Sequence, residues 1–199
     1  MSPEGHSHTG GTVNRRRLAI AFTLTASVLV AEVIGAIITG SLALLVDAAH
    51  MLTDAGGLLV ALIAARLMER AATSRRTWGL RRAEVLAATV QASVLLAVGI
   101  FVAVEAVQRF SRPAEIASVE LLIFGVVGLL ANVGSIVVLS GGRGDNLNMR
   151  AAFLEVLNDA LGSVAVIGAA IVIMTTGWQQ ADTVAALLVA TLIIPRTLR

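Results

Sequence analysis

The sequence predicts an all-helical membrane protein: a bundle of six transmembrane helices with both termini on the cytoplasmic side. Three observations predict it. Apolar residues make up 57% of the chain and charged ones only 14%, with a mean hydropathy of +0.87, well outside the habit of soluble domains. The apolar residues fall into six runs separated by short polar or basic connectors, and a bilayer takes roughly 20 residues of helix. The basic residues, all 15 of them Arg, gather in alternate connectors. Strings of this length can cross lipid only as helix, since each backbone N–H and C=O must be satisfied within its own segment. With no cysteine in the chain, disulfides, thiolate metal ligands and thiol redox chemistry are excluded.

The elements follow in order. Residues 1–17 are polar, include His6 and His8, and end in Arg15, Arg16 and Arg17; they read as a disordered cytoplasmic tail ahead of a membrane domain at 18–199. The run 18–39 comes next. A basic stretch before an apolar one also describes a signal peptide, but this run is long for an h-region and carries Glu32, so it reads as an anchor. The second run, 42–67, contains Asp47, His50 and Asp54, and a connector at 68–82 follows with Arg70, Arg75, Arg76, Arg81 and Arg82. The third run is 83–108; Pro113 in the linker 109–114 stops it. The fourth is 115–140, closed by the turn-forming stretch 141–146. The fifth is 148–176 and the sixth 181–194, with Pro195 near its end.

Arginine placement orients the chain. With the N-terminus inside, thirteen Arg residues face the cytoplasm and two, Arg109 and Arg112, face out, as the positive-inside rule asks. This alternation with apolar segments, in place of one basic face, also argues against nucleic acid as a partner despite a pI near 10.9. Trp78 and Trp178 fit interface anchors, and Glu84 and Glu105 sit near helix ends where they can snorkel.

Ionisable residues inside the spans carry the functional argument, because each costs about 2.5–3.5 kcal/mol at a helix centre on insertion scales. Asp47, His50 and Asp54 stand at i, i+3 and i+7, one stripe of a helix. Glu155 and Asp159 stand at i and i+4, with Asn158 alongside. The two segments also match each other: 50–57 aligns with 155–162 at Leu52/Leu157, Asp54/Asp159, Ala55/Ala160 and Gly57/Gly162. Helices two and five run antiparallel in this topology, so they can bring these groups together near the bilayer midplane, where transporter sites lie. Small neighbours such as Gly162 and Ser163 permit close approach. One imidazole with three carboxylates suits a borderline divalent cation, zinc first, at tetrahedral coordination. Such ligands bind metal only when deprotonated, so metal entry expels protons and protonation expels metal. A hydrogen-bonded lock between helices is the bland alternative. Glu32 and Asn132 divide between interhelical hydrogen bonds and pathway lining, and His6 and His8 read as part of a solvated tail.

Residues 40–54, with their Asp47, His50 and Asp54, together with residues 148–163, with their Glu155 and Asp159, resemble the cation diffusion facilitator family of metal/proton antiporters. The resemblance covers nearly the whole chain, including Glu32-Val-Ile-Gly35. It implies six helices, a tetrahedral zinc-type site from helices two and five, efflux from the cytoplasm and a homodimer. His50, Asp54 and Asp159 match the family's ligand positions. Where the family's zinc exporters usually carry His, this chain has Glu155, which leaves manganese, iron or cobalt open beside zinc. The loop 141–147 lacks the histidine-rich stretch of many members, and the cytoplasmic metal-binding domain that usually follows helix six is absent from 199 residues.

The expected function is therefore divalent-cation efflux from a multi-pass cell-membrane protein in exchange for protons. His50, Asp54, Glu155 and Asp159 are the expected metal ligands, Asp47 a relay, and Glu32, Asn132 and Asn158 supporting groups. No cofactor is expected beyond the transported metal and H+; the partners are lipid, metal ions and a second copy of the chain. The rival readings are a metal-binding fragment or subunit that does not transport, and an intramembrane metalloenzyme. The latter lacks a His-Glu-x-x-His or Gly-x-Ser-x-Gly pattern.

Overall fold

The computed structural model describes residues 9–53, 55, 82–142, 144 and 147–197. Among these residues the protein is all-helical, with six helices: α1 (Thr9–Thr39), α2 (Leu42–Thr53), α3 (Arg82–Ser111), α4 (Ser118–Ser140), α5 (Leu147–Thr176) and α6 (Gln180–Thr197). Among the described residues, three stretches are long and apolar enough to cross a bilayer: Arg16–Thr39, Ser118–Ser140 and Met149–Thr176. The remainder of the second run, with Asp54, and the connector with Trp78 lie outside the described residues, as do His6 and His8.

One boundary differs from expectation. Helix α1 begins at Thr9, so residues 9–17 continue the helix where a disordered tail was expected. Propagation onto an existing helix adds one hydrogen bond per residue fixed, and Arg is a good helix former. The Arg17 guanidinium lies against Gly141 at the end of α4, where a cation is favoured by the exposed carbonyl ends of the helix.

The helices run up and down, and three of their turns gather at one end of the bundle. Gly40, at φ +69°, ends α1, its N–H bonding back to Ala36 C=O at 3.0 Å; Gly177, at φ +72°, ends α5 in the same way on Ile173 at 2.8 Å. A left-handed residue after a helix favours glycine because it has no Cβ to clash. The start of α4 is stitched to the end of α1 by Ala117 N–H to Thr39 C=O at 3.3 Å, and Ile116 N–H reaches Gln179 Oε1 at 3.1 Å before α6. At the opposite end α1 begins and α4 passes into α5.

In cross-section α4 packs between α1 and α5, α6 covers the far side of α5, and α3 lies on α6. The buried face of α4 is Leu121, Gly125, Gly128, Asn132, Ser135 and Leu139, a row spaced by fours and threes as a packed helix seam requires. Its small residues bring backbones together: a methyl on Gly125 would meet Ile167 Cγ1 at 2.9 Å. Large apolar side chains such as Phe22, Ile37, Leu130 and Val137 point outward, which in water would be an anomaly and in lipid is the expected surface.

Candidate metal site in the bundle interior

The interior is not uniformly apolar. Glu32 on α1, Asp47 and His50 on α2, Asn132 and Ser135 on α4, and Asp159 and Ser163 on α5 are all buried. A polar seam thus crosses the bundle from α1 through α2 and α4 to α5. Buried polar groups need partners in low dielectric, and several connections are visible. Ser163 Oγ donates to Asp159 C=O at 3.2 Å, and Asn132 Nδ2 donates to Ser163 Oγ at 3.4 Å. The Glu32 carboxyl faces that of Asp47 across α1 and α2 and lies within electrostatic reach of Asp159. Both carboxylate oxygens of Asp47 press on the bare backbone of α5, at 3.0 and 3.1 Å from where a methyl on Gly162 would stand. Glycine at 162 is what lets α2 present an acid directly to α5.

A small cavity opens at this point, lined by Asp47, His50, Asn158, Asp159, Gly162, Val189 and Leu192. Two acids, an imidazole and a carboxamide from α2 and α5 therefore share one space, walled on the third side by apolar residues of α6. Some seam atoms have no hydrogen-bond partner among the described residues: Glu32 Oε2, Asp47 Oδ2, Asn132 Oδ1 and Ser135 Oγ. Such atoms are costly in an apolar interior unless a proton, water or ion meets them.

The expected site residues fall as follows. His50, Asp47, Asn158 and Asp159 meet at the cavity; Glu32 and Asn132 stand behind it in the same seam. Glu155, one turn before Asp159, is half-buried and is not among the residues lining the cavity. Asp54 lies outside the described residues. Among the described residues, no three His, Asp or Glu side chains gather closely enough to hold a metal ion.

A second polar cluster, at the turn end, escapes a motif search. Asp182, 1% exposed, reaches from α6 to the start of α2. Its Oδ2 accepts Leu42 N–H at 2.6 Å, and its Oδ1 accepts Ala43 N–H at 3.4 Å and the Ser41 hydroxyl. Leu44 N–H bonds to Ser41 Oγ at 3.2 Å, so the first three free N–H groups of α2 all have acceptors, as a helix start in lipid demands. Arg109 adds to it. Its Nη1 donates to Gly40 C=O at 2.7 Å and lies 3.8 Å from Asp182 Oδ2, while Nε pairs with Glu105 at 2.9 Å. Glu105, expected to snorkel, is thus held in an ion pair, and Arg109, expected only as an outer-connector charge, ties three helix ends. The mark Asp182 does leave in the sequence is that of Glu32: an acid within an apolar run.

Comparison with known proteins bears on this seam. A family model described as the cation efflux transmembrane domain matches residues 18–199. The metal cation efflux system protein CzcD of Cupriavidus metallidurans is 45% identical over 193 residues, which is 97% of this chain and 61% of that protein. The zinc transporter ZitB of Pectobacterium atrosepticum is 47% identical over 190 residues, 95% of this chain and 59% of that one. A cadmium, cobalt and zinc/H(+)-K(+) antiporter of Bacillus subtilis is 41% identical over 192 residues, 96% and 61% of the two chains. The chain thus spans about three fifths of the length of these curated relatives. A match over nearly all of this chain, at such identity, shows that it belongs to the cation diffusion facilitator, or cation efflux, family.

Proposed function

We propose that this chain is the membrane-spanning part of a divalent-cation exporter that exchanges metal for protons. The observation that carries the reading is the convergence of Asp47 and His50 from α2 with Asn158 and Asp159 from α5 around one cavity inside an apolar bundle. The names of the relatives support the same substrate class: zinc for one, and cadmium, cobalt and zinc with H(+)-K(+) exchange for another. These transporter names favour transport over the metalloenzyme reading. His50, Asp54, Glu155 and Asp159 are the proposed ligands, with zinc the first candidate and Mn2+, Co2+ and Fe2+ following. A cytoplasmic location is proposed for both termini, which makes the turn end the outer one, and a homodimer remains the proposed assembly.

Coupling to protons follows from the donor set. Carboxylate and imidazole bind metal only without their protons, so occupation by metal and by H+ exclude one another. Asp47, pressed on α5 and facing Glu32, is placed to pass a proton between the seam and the cavity. The test is metal uptake into proteoliposomes under an imposed pH gradient, comparing zinc, manganese and cobalt. Gradient-driven uptake is expected in the parent protein, with a fall of at least about tenfold in Asp159→Asn. Equal uptake by the two proteins would remove the site. Metal binding without uptake would instead support a metal-binding fragment.

A further inference from the structure

The cluster at the turn end has a consequence for how the cavity can open. The cavity lies between α2, which supplies Asp47 and His50, and α6, which supplies Val189 and Leu192. These same two helices are joined at the turn end by one side chain. The Asp182 carboxylate of α6 accepts the Ser41 hydroxyl and the N–H groups of Leu42 and Ala43 on α2. From that joint to Asp47 and His50 is five to eight residues of helix, and to Val189 seven, so the cavity sits about 10 Å inward from it. The joint is buried and multiply bonded to a charged group, the strongest kind of hydrogen bond in a dry setting.

We propose that Asp182 is a positioning residue for transport: it pins the start of α2 to α6, so that the two helices part only at the end where α1 begins. The cavity then opens to that side while the pin holds, and opening to the turn end requires the pin to break. Arg109 supports the closed joint from α3 by bonding Gly40 and facing Asp182, and its long 3.8 Å contact makes it the weaker member. The inference rests on the transport reading only in requiring the cavity to open to both sides in turn.

The chain has no cysteine, so a single introduced thiol reports on access without background. The experiment places Val189→Cys in the cavity wall and labels it with a membrane-impermeant thiol reagent in right-side-out and inside-out vesicles, without metal. With Asp182 intact, labelling is expected from the side where α1 begins. Adding Asp182→Asn, which keeps the shape and removes the charge, is expected to raise labelling from the turn-end side about tenfold, the effect of losing roughly one charge-assisted bond. Ser41→Ala and Arg109→Gln are expected to give smaller rises in the same direction. An unchanged side preference, or an equal rise from both sides, would overturn the proposal. If Asp182→Asn fails to insert, Ser41→Ala carries the test, and an unchanged preference there overturns it equally. Because no metal is involved, a protein that fails to transport still gives a readable answer about the pin.

Discussion

A methyl group at residue 162 would sit 3.0 Å from Asp47 Oδ2, closer than side chains ordinarily tolerate. Gly162→Ala therefore keeps every proposed ligand yet must displace the Asp47 carboxylate by a few tenths of an ångström or more. Disturbing the groups that support metal ligands typically costs 10- to 100-fold in affinity. We expect Gly162→Ala to bind zinc at least about tenfold more weakly by titration calorimetry, with a far-ultraviolet dichroism spectrum like that of the parent. Unchanged affinity would mean that Asp47 does not act on the site. Glu155 carries a different expectation. An imidazole there would replace oxygen by a borderline nitrogen donor, so Glu155→His is expected to raise zinc uptake relative to manganese. An unchanged ratio would take Glu155 out of the ligand set, in keeping with its place beside the cavity and not on it.

At the scale of helices, α4 is the slab against which α1 and α5 are set. Its buried face carries Gly125 and Gly128, and a methyl at 125 would meet Ile167 Cγ1 at 2.9 Å and Val166 Cγ1 at 3.2 Å, with α5 backbone at 3.5 Å behind them. The overpacking has no flexible side-chain end to yield to, so Gly125→Ala should cost about 1–3 kcal/mol and lower the melting temperature in detergent; an equal or higher one would mean that the helices separate freely. Much of this level is legible in the sequence. Pro113 marks a true helix end, the fourth run is expected at 115–140 and the helix is Ser118–Ser140, and the fifth differs by one residue. The stripe of Asp47 and His50 is also legible, because residues on one helix are related by a fixed 100° step. Pairing between helices is not. Nothing local to Asp182 says that its partners are Ser41, Leu42 and Ala43, and nothing local to Arg109 says that it reaches Gly40, since those contacts depend on which helix lies beside which. The helix over residues 9–17 is hidden for another reason: a polar composition suggests disorder, although a helix already nucleated can continue through arginine.

For the molecule as a whole, the polar seam and the apolar exterior divide the work between site and solvent. Acids and amides from α1, α2, α4 and α5 meet inside, while Phe22, Ile37, Leu130 and Val137 face out. The contact between Asp182 and the start of α2 also joins distant parts of the chain, 140 residues separating Leu42 from its acceptor. Synthesis proceeds from the N-terminus, so α2 emerges long before the side chain that completes its first turn. Until α6 arrives, the Leu42 and Ala43 N–H groups lack the acceptor that the finished protein provides. Helix α6 is therefore made long after the α2 start that it completes, and a nascent chain halted before residue 182 holds an α2 whose first turn still lacks this acceptor.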